Sequence, residues 1–545
     1  MFTKRNALLM GMLFLLLFAT ACGGAAATEA PRNDFQYEEP AAPEPAEPAP
    51  PAPTGSVLPA GEGYYPEAEM PLSAPESTSQ DWAPPPAKRQ PYDTFFEDYG
   101  VNPFIDAEDD NLSTFALDVD TGSYTIMRIY LKDGLIVPPD SVRVEEYVNY
   151  FDQGYPNPPA HQAFSISMDG APSPFTQTER YQMLRIGVQG YEVPDYDRKD
   201  ASLTFVIDVS GSMDMDNRLG LVKRSLELLV EQLDRRDTVS IVVYGSDARV
   251  ILDPTPGSDK ETILRAIYRL EPEGATNAEA GIRLGYKMAL RAYNPHGINR
   301  VILCSDGVAN VGNTEADAIL NEIRGHVEEG VTMTTIGFGM DNYNDILMEQ
   351  LADNGDGFYA YVDDMREAKR LFIDNLTSTL QTIAMDAKIQ VDFNPEVVSR
   401  YRLVGFENRA IADEDFRDNS VDAGEIGAGH SVTALYEVKL YPEAYGNIAT
   451  VFLRWQDPDT RQVVELSKDF RVSDLERRFD RANPYFQRTV IIAEFAEILK
   501  ESYWAEDSSF GDVYREAARV SEFFGRDEDM SELLELMRRA GHWFE

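Results

Sequence analysis

The 545-residue sequence predicts an α/β architecture: a doubly wound, mostly parallel sheet inserted in a β-sandwich, with a helical C-terminal region. Three patterns carry that prediction. Between Ala201 and Met385, short apolar runs alternate with helix-period stretches, as in sheets covered by helices on both faces. Strand-like segments flank this stretch on both sides, and those before it are too few to make an independent sheet. In the last seventy residues the apolar pattern takes a helical period.

At the N-terminus, Lys4 and Arg5 precede an apolar stretch from Ala7 to Phe18, followed by "ATAC" ending at Cys22. The stretch is short for a bilayer span and suits the apolar core of a secretory signal, here 1–21. Small residues before a cysteine resemble the lipobox of bacterial lipoproteins, which implies cleavage and a lipid-modified Cys22. Ala19 stands where that motif usually has leucine. Residues 22–90 are rich in Pro, Ala and Glu and lack the apolar content to bury a core. At ~3.1 Å per residue, some sixty such residues reach roughly 200 Å. They read as a tether between a membrane and a folded body, which places the protein outside the cytoplasm, lipid-anchored to the cell membrane.

In "STFALDVDTGSYTIMRIYL" a strand ends in a turn that starts a helix, within a region spanning 91–160. "FSISMDG" and "QMLRIGVQG" supply the first part of the sandwich, within 161–200. Within the α/β domain, 201–385, the strands read "LTFVID", "TVSIVVY", "RVILC", "VTMTTIGFG" and "GFYAYV". Leu219, Val222, Leu226, Leu229 and Leu233 form one stripe of an amphipathic helix. "ARVILD" follows its predecessor too closely for a crossover helix, so it is an antiparallel edge strand. The second part of the sandwich, 386–475, contains "AKIQVDFN", "VSRYRLVGF", "SVTALYEVKL", "ATVFLRW" and "QVVELSKDFRV", with "GEIGAGHS" as a turn-rich connection. In 476–545, "YFQRTVIIAEFAEILKESY" and "DMSELLELMRRAG" are helices that pack against the sandwich.

The chemistry gathers at the carboxyl edge of the predicted parallel sheet, where open α/β folds bind ligands. "FVIDVSGSMDM" places Asp208, Ser210 and Ser212 on the loop leaving a buried strand. "EGATNAEAG" places Thr276 just before a helix, and "LCSDGVAN" places Asp306 just after a strand. Singly, each has an ordinary explanation as a helix cap or a tight turn. Together they bring two carboxylates and three hydroxyls to one edge from three loops. Hard oxygen donors favour Mg²⁺ or Mn²⁺, and two charges roughly neutralise the ion while leaving it electrophilic toward an outside carboxylate.

These residues resemble the metal-ion-dependent adhesion site of the von Willebrand factor type A (VWA) domain. Asp208, Ser210 and Ser212 match its first motif, Thr276 its second and Asp306 its third. The flanking stretches "STFALDVDTGSYTIMRIYL", "VRVEEYVNYF" and "VDAGEIGAGHSVTALYEVKL" are similar to the YfbK-like family of bacterial lipoproteins that carry this domain. The resemblance makes 91–160 a VWA-associated region. It implies adhesion or scaffolding: a protein partner donates an acidic residue to a bound Mg²⁺ or Mn²⁺. It also leaves open an adaptor working with a ring-shaped ATPase, which the apparent lipobox opposes because those ATPases are cytoplasmic.

Other chemistry finds little support. With 49 Lys+Arg against 93 Asp+Glu, the net charge of -44 repels phosphate backbones, which argues against nucleic-acid binding. No Walker-type glycine loop points to nucleotide, and His161, His296, His326, His430 and His542 lack zinc spacing. Cys304 lies in an apolar run as a buried thiol. "DVDTGS" contains an aspartic-protease-like string at Asp120, but that chemistry needs two such aspartates and only dimerisation would supply the second. The sequence reads as a non-enzyme.

Overall fold

A computed structural model describes residues 94, 96–159, 161–176, 180–194, 196–215, 217–307, 313–340, 343–421 and 423–542. The signal-like segment, Cys22 and the tether lie outside the described residues.

Among the described residues, ten strands flank the α/β insertion and form two facing sheets. Before it come β1 (Ile105–Asp106), β2 (Leu112–Ala116), β3 (Phe164–Pro172) and β4 (Tyr181–Gly190), with helices α1 (Gly122–Lys132) and α2 (Val144–Asn149) between β2 and β3. The α/β domain runs β5 (Ala201–Asp208), α3 (Leu219–Gln232), β6 (Thr238–Tyr244), β7 (Ala248–Pro256), α4 (Lys260–Tyr268), α5 (Ala278–Arg291), β8 (Ile298–Ser305), α6 (Asn313–Glu328), β9 (Thr332–Gly337), α7 (Asp345–Asp353), β10 (Tyr359–Tyr361), α8 (Met365–Lys369) and α9 (Leu376–Leu380). After it follow β11 (Thr382–Phe393), β12 (Val398–Val404), β13 (Gly424–Gly427), β14 (Ser431–Leu440), β15 (Asn447–Gln456), β16 (Val463–Arg471) and helices α10 (Pro484–Leu499), α11 (Phe510–Phe524) and α12 (Glu528–Gly541).

The inserted sheet has the order β10-β9-β8-β5-β6-β7. Every pairing is parallel except β6 with β7, so "ARVILD" is the antiparallel edge strand its spacing predicts. Alternate residues of β5 face opposite layers. Phe205 and Ile207 pack with Val222, Leu226 and Leu229 of α3, whereas Val206 packs with Ile282 and Tyr286 of α5. Apolar on both faces, β5 is buried from end to end.

One sandwich sheet runs β1-β12-β14-β4-β3, and the other runs β13-β11-β15-β16 with β2 also on β11. Ile186 and Val188 of β4, Ala434 and Tyr436 of β14, Ile389 and Val391 of β11, and Val451 and Leu453 of β15 share one core. Strands from before the α/β domain, β1, β4 and β3, therefore share one sheet with β12 and β14 from after it. Two details differ from the sequence reading. The 91–160 region supplies its expected strand, β2, to one sheet and also β1 to the other; β1, with two residues, is too short to signal a strand alone, and long-range pairing fixes it. "GEIGAGHS", read as a turn-rich connection, contains β13 paired with β11.

Helix α10 starts at Pro484 behind an Asn483 cap that accepts from the Tyr485 amide. Its residues Phe486, Val490 and Ile491 pack in one cluster with Met183, Val404 and Leu435 of the sandwich, so the C-terminal helices are part of the core. Arg128 of α1, fully buried, donates to Asp363 (2.5 Å) and Glu367 (3.0 Å) near α8 and to Glu532 of α12 (3.2 Å). One guanidinium thus joins three parts of the chain.

Breaking a buried ion cluster from one side leaves uncompensated charge. Arg128→Met is expected to lower unfolding free energy in urea by about 3–5 kcal/mol. Adding Asp363→Asn should recover part of the loss, and an unchanged Arg128→Met midpoint would refute the clasp.

Candidate metal centre

The three predicted loops meet where the sheet ends. Parallel pairing sets Ile207 opposite Cys304, so Asp208 and Ser305 leave adjacent strands together. The Asp208 carboxylate is fully buried, accepting from the Ser210 amide at 2.8 Å and from the Ser305 hydroxyl at 3.0 Å. Ser210 and Ser212 hydroxyls lie 2.9 Å apart, and Ser212 donates to Asp306 Oδ1 at 3.0 Å. Four of the five predicted residues thus form one hydrogen-bonded chain. Met213, completely buried, pins the single 3-10 turn at Gly211–Met213 that carries Ser212 to the surface.

Thr276 belongs to a third loop docked on the first. The Gly211 amide donates to Gly274 O (3.2 Å), and the Glu273 amide to Val209 O (2.5 Å). Gly274 has φ +69, and a Cβ there would lie 2.2 Å from Ser246 Oγ, so only glycine makes the approach. Asn277 caps α5 by accepting from the Ala280 amide, leaving Thr276 half-buried just before the helix. The cap reading of this motif is therefore correct for Asn277 and compatible with a separate role for Thr276.

Burial pushes the Asp208 carboxyl above its ordinary range. Burial, with the neighbouring Asp208 charge, raises Asp306 to about 6. Two groups here escaped the sequence reading. Ser305 was part of a presumed turn, and only strand register reveals that it faces Asp208. Arg218, at the start of α3, donates to Asp306 Oδ2 at 3.0 Å and to Ser212 O at 2.5 Å. Nothing in "MDMDNRL" distinguishes that arginine from a surface one.

The donor set fits a hard divalent cation: two carboxylates and two hydroxyls converge, and Ser212 is exposed. Asp208, Ser210, Ser212, Thr276 and Asp306 would hold Mg²⁺ or Mn²⁺, which would supply an electrophilic centre for an outside carboxylate.

A second acidic group, Asp118, Asp120 and Glu349, has one oxygen from each within 4.8 Å of the others. Arg409 occupies it: its Nη2 lies 2.9 Å from Asp118, 3.7 Å from Asp120 and 2.8 Å from Glu349. Asp120 also accepts from the Tyr359 amide at 3.0 Å and is 4% exposed, which leaves no face for a second copy to share a proton as a protease dyad would. Arg143 continues the network to Glu349, Asp345 and Glu146.

Residues 202–374 match the von Willebrand factor type A domain family, 90–185 a family described as von Willebrand factor, and 378–446 one described as the C-terminal part of the uncharacterized protein YfbK. With the six-stranded sheet and its loop cluster, these matches define a protein built around a VWA domain, a class that points to protein binding and whose members often bind a metal. More particularly, the chain is YfbK-like. It is 39% identical over 350 residues, 63% of its length, to the uncharacterized protein YfbK of Escherichia coli (strain K12), and the match spans 61% of that relative. Human inter-alpha-trypsin inhibitor heavy chain H3 is 26% identical over 215 residues, 38% of this chain and 22% of that protein. A solved von Willebrand factor type A protein from Catenulispora acidiphila aligns with a TM-score of 0.42 at 14% identity, covering 68% of this chain and 89% of that one.

Burial raises Glu146 to about 8 and Glu349 to about 7 in the Arg143–Arg409 network. The folded chain therefore favours their protonated forms. The stability they contribute is complete below the unfolded value of 4.5 and is lost as pH rises through about 7 and 8. Urea midpoints are expected to fall between pH 5 and roughly 8, and Glu146→Gln should flatten that decline. An identical pH profile in the variant would refute the assignment.

Proposed function

We propose that this protein is a non-enzymatic, lipid-anchored cell-envelope protein whose VWA domain binds a protein partner through a divalent ion. Asp208, Ser210, Ser212, Thr276 and Asp306 hold Mg²⁺ or Mn²⁺, and the partner's Asp or Glu completes the coordination. The observation that carries this reading is the convergence of Asp208, Ser210, Ser212 and Asp306 in one hydrogen-bonded chain with Ser212 open to solvent. Cys22 carries the lipid, and the tether sets the domain away from the membrane, outside the cytoplasm.

Asp208→Ala removes a ligand and a charge together, so calorimetry with Mg²⁺ or Mn²⁺ should show lost binding with the fold intact. Thr276→Ala should weaken partner capture more than it changes melting, because Thr276 lies in a surface loop outside the core. A partner recovered from envelope extracts should dissociate in chelator and lose affinity when its contacting acid is neutralised. Capture that persists unchanged in chelator and in Asp208→Ala would overturn the metal interface. Separately, a fatty-acid analogue should label the wild type and spare Cys22→Ala; label on the variant would remove the anchor from the proposal.

A further inference from the structure

We propose that Arg218 is a built-in counter-cation of the candidate metal centre, holding its affinity for a free divalent ion low and coupling tight metal binding to an incoming carboxylate. This rests on the metal reading of the site given above.

Arg218 is 3% exposed, and one of its nitrogens, Nη1, makes both the 3.0 Å contact to Asp306 Oδ2 and the 2.5 Å contact to Ser212 O. The cation therefore bears on a ligand carboxylate and on the backbone of a ligand hydroxyl at once. Asp208, in contrast, accepts from neutral donors, the Ser210 amide and the Ser305 hydroxyl. The chain also makes room for the guanidinium. Gly339 follows β9 with φ +84, and a Cβ there would lie 2.6 Å from Arg218 Nε and 2.7 Å from its Cγ. The Phe338 amide donates to Ser305 O at 2.9 Å, so the glycine that admits Arg218 is held to the strand that carries Asp306.

Charge counting gives the consequence. Counting the described groups joined there by hydrogen bonds, Asp208, Asp306 and Arg218, two carboxylates and one guanidinium leave the empty site at −1. A divalent ion takes it to +1, and one external carboxylate returns it to neutrality. Without Arg218 the ion alone neutralises the two aspartates, and an added carboxylate gains less. In a poorly solvated site, a unit charge a few ångströms from the ion shifts affinity by an order of magnitude or more.

The test is Mn²⁺ binding by the full chain, read from free-ion electron paramagnetic resonance, with thermal melting to verify folding. Arg218→Gln should bind Mn²⁺ at least about tenfold more tightly than the wild type. Arg218→Lys, which keeps the charge, should stay close to the wild type. Arg218→Met serves as a second neutral variant should the glutamine variant melt early. Asp208→Ala in the Arg218→Gln background should abolish the gain, which ties it to this site. Unchanged or weaker binding in a folded neutral variant overturns the counter-cation while leaving the metal centre standing. Equal tightening by lysine and glutamine also overturns it, because packing and not charge would then be responsible. Absence of Mn²⁺ binding from the wild type and both neutral variants overturns this inference and the metal reading together.

Discussion

The register between β5 and β8 is the constraint on which the rest of the site depends. Residues Ala201 to Ile207 pair with Ile298 to Cys304 without a slip, so the two strands end level. A one-residue shift would reverse which face each side chain occupies, sending Phe205 and Ile207 from α3 toward α5. That apolar penalty holds the register, and the register holds Asp208 beside Ser305 and Asp306. The polar groups at the edge do not need to position themselves. They inherit their geometry from a strand that is buried along its whole length.

A chain with 93 acidic and 49 basic residues has few cations to spend in its interior. Three of its buried arginines each serve several carboxylates. Arg128 reaches Asp363, Glu367 and Glu532; Arg143 reaches Glu146, Asp345 and Glu349; Arg402 reaches Glu437 and Glu497. The planar fork with several donors suits this use better than a lysine would. These clusters lie between elements far apart in sequence, joining the N-terminal helices, the α/β domain, the sandwich and the C-terminal helices. Buried pairs of this kind are costly to form and costlier to break. Their effect is to fix how the parts dock, more than to add net stability.

Much of this was legible from sequence because it follows from short-range periodicity. The stripe from Leu219 to Leu233 is buried as its spacing predicts, and the "STFALDVDTGSYTIMRIYL" segment is the strand, turn and helix it reads as. Asp208, Ser210, Ser212 and Asp306 were findable because each sits at a fixed offset from an apolar strand. What escaped depends on distant pairing. β1, with two residues, and β13, with four, have no periodicity to display and exist because β12 and β11 offer them an edge. Ser305 and Arg218 are likewise ordinary residues until the fold brings them to a carboxylate.

The two acidic clusters, one at the edge of the α/β sheet and one where the 91–160 region meets α7, show why acid alone does not make a metal site. In the Asp118, Asp120 and Glu349 group, Arg409 approaches all three carboxylates at 2.8–3.7 Å, and all three residues are buried. An entering ion would have to expel a guanidinium into a closed interior and strip its own hydration, with nothing to replace either. At the sheet edge the donors are mixed: hydroxyls can turn their protons away and offer lone pairs, and Ser212 faces solvent that can keep part of the ion's water shell. There Arg218 meets Asp306 through Oδ2 and Ser212 through its backbone oxygen, not through its hydroxyl. Burial and pairing with arginine make the first cluster a joint between parts of the chain, while the exposed hydroxyl of the second is what the proposed metal site calls for.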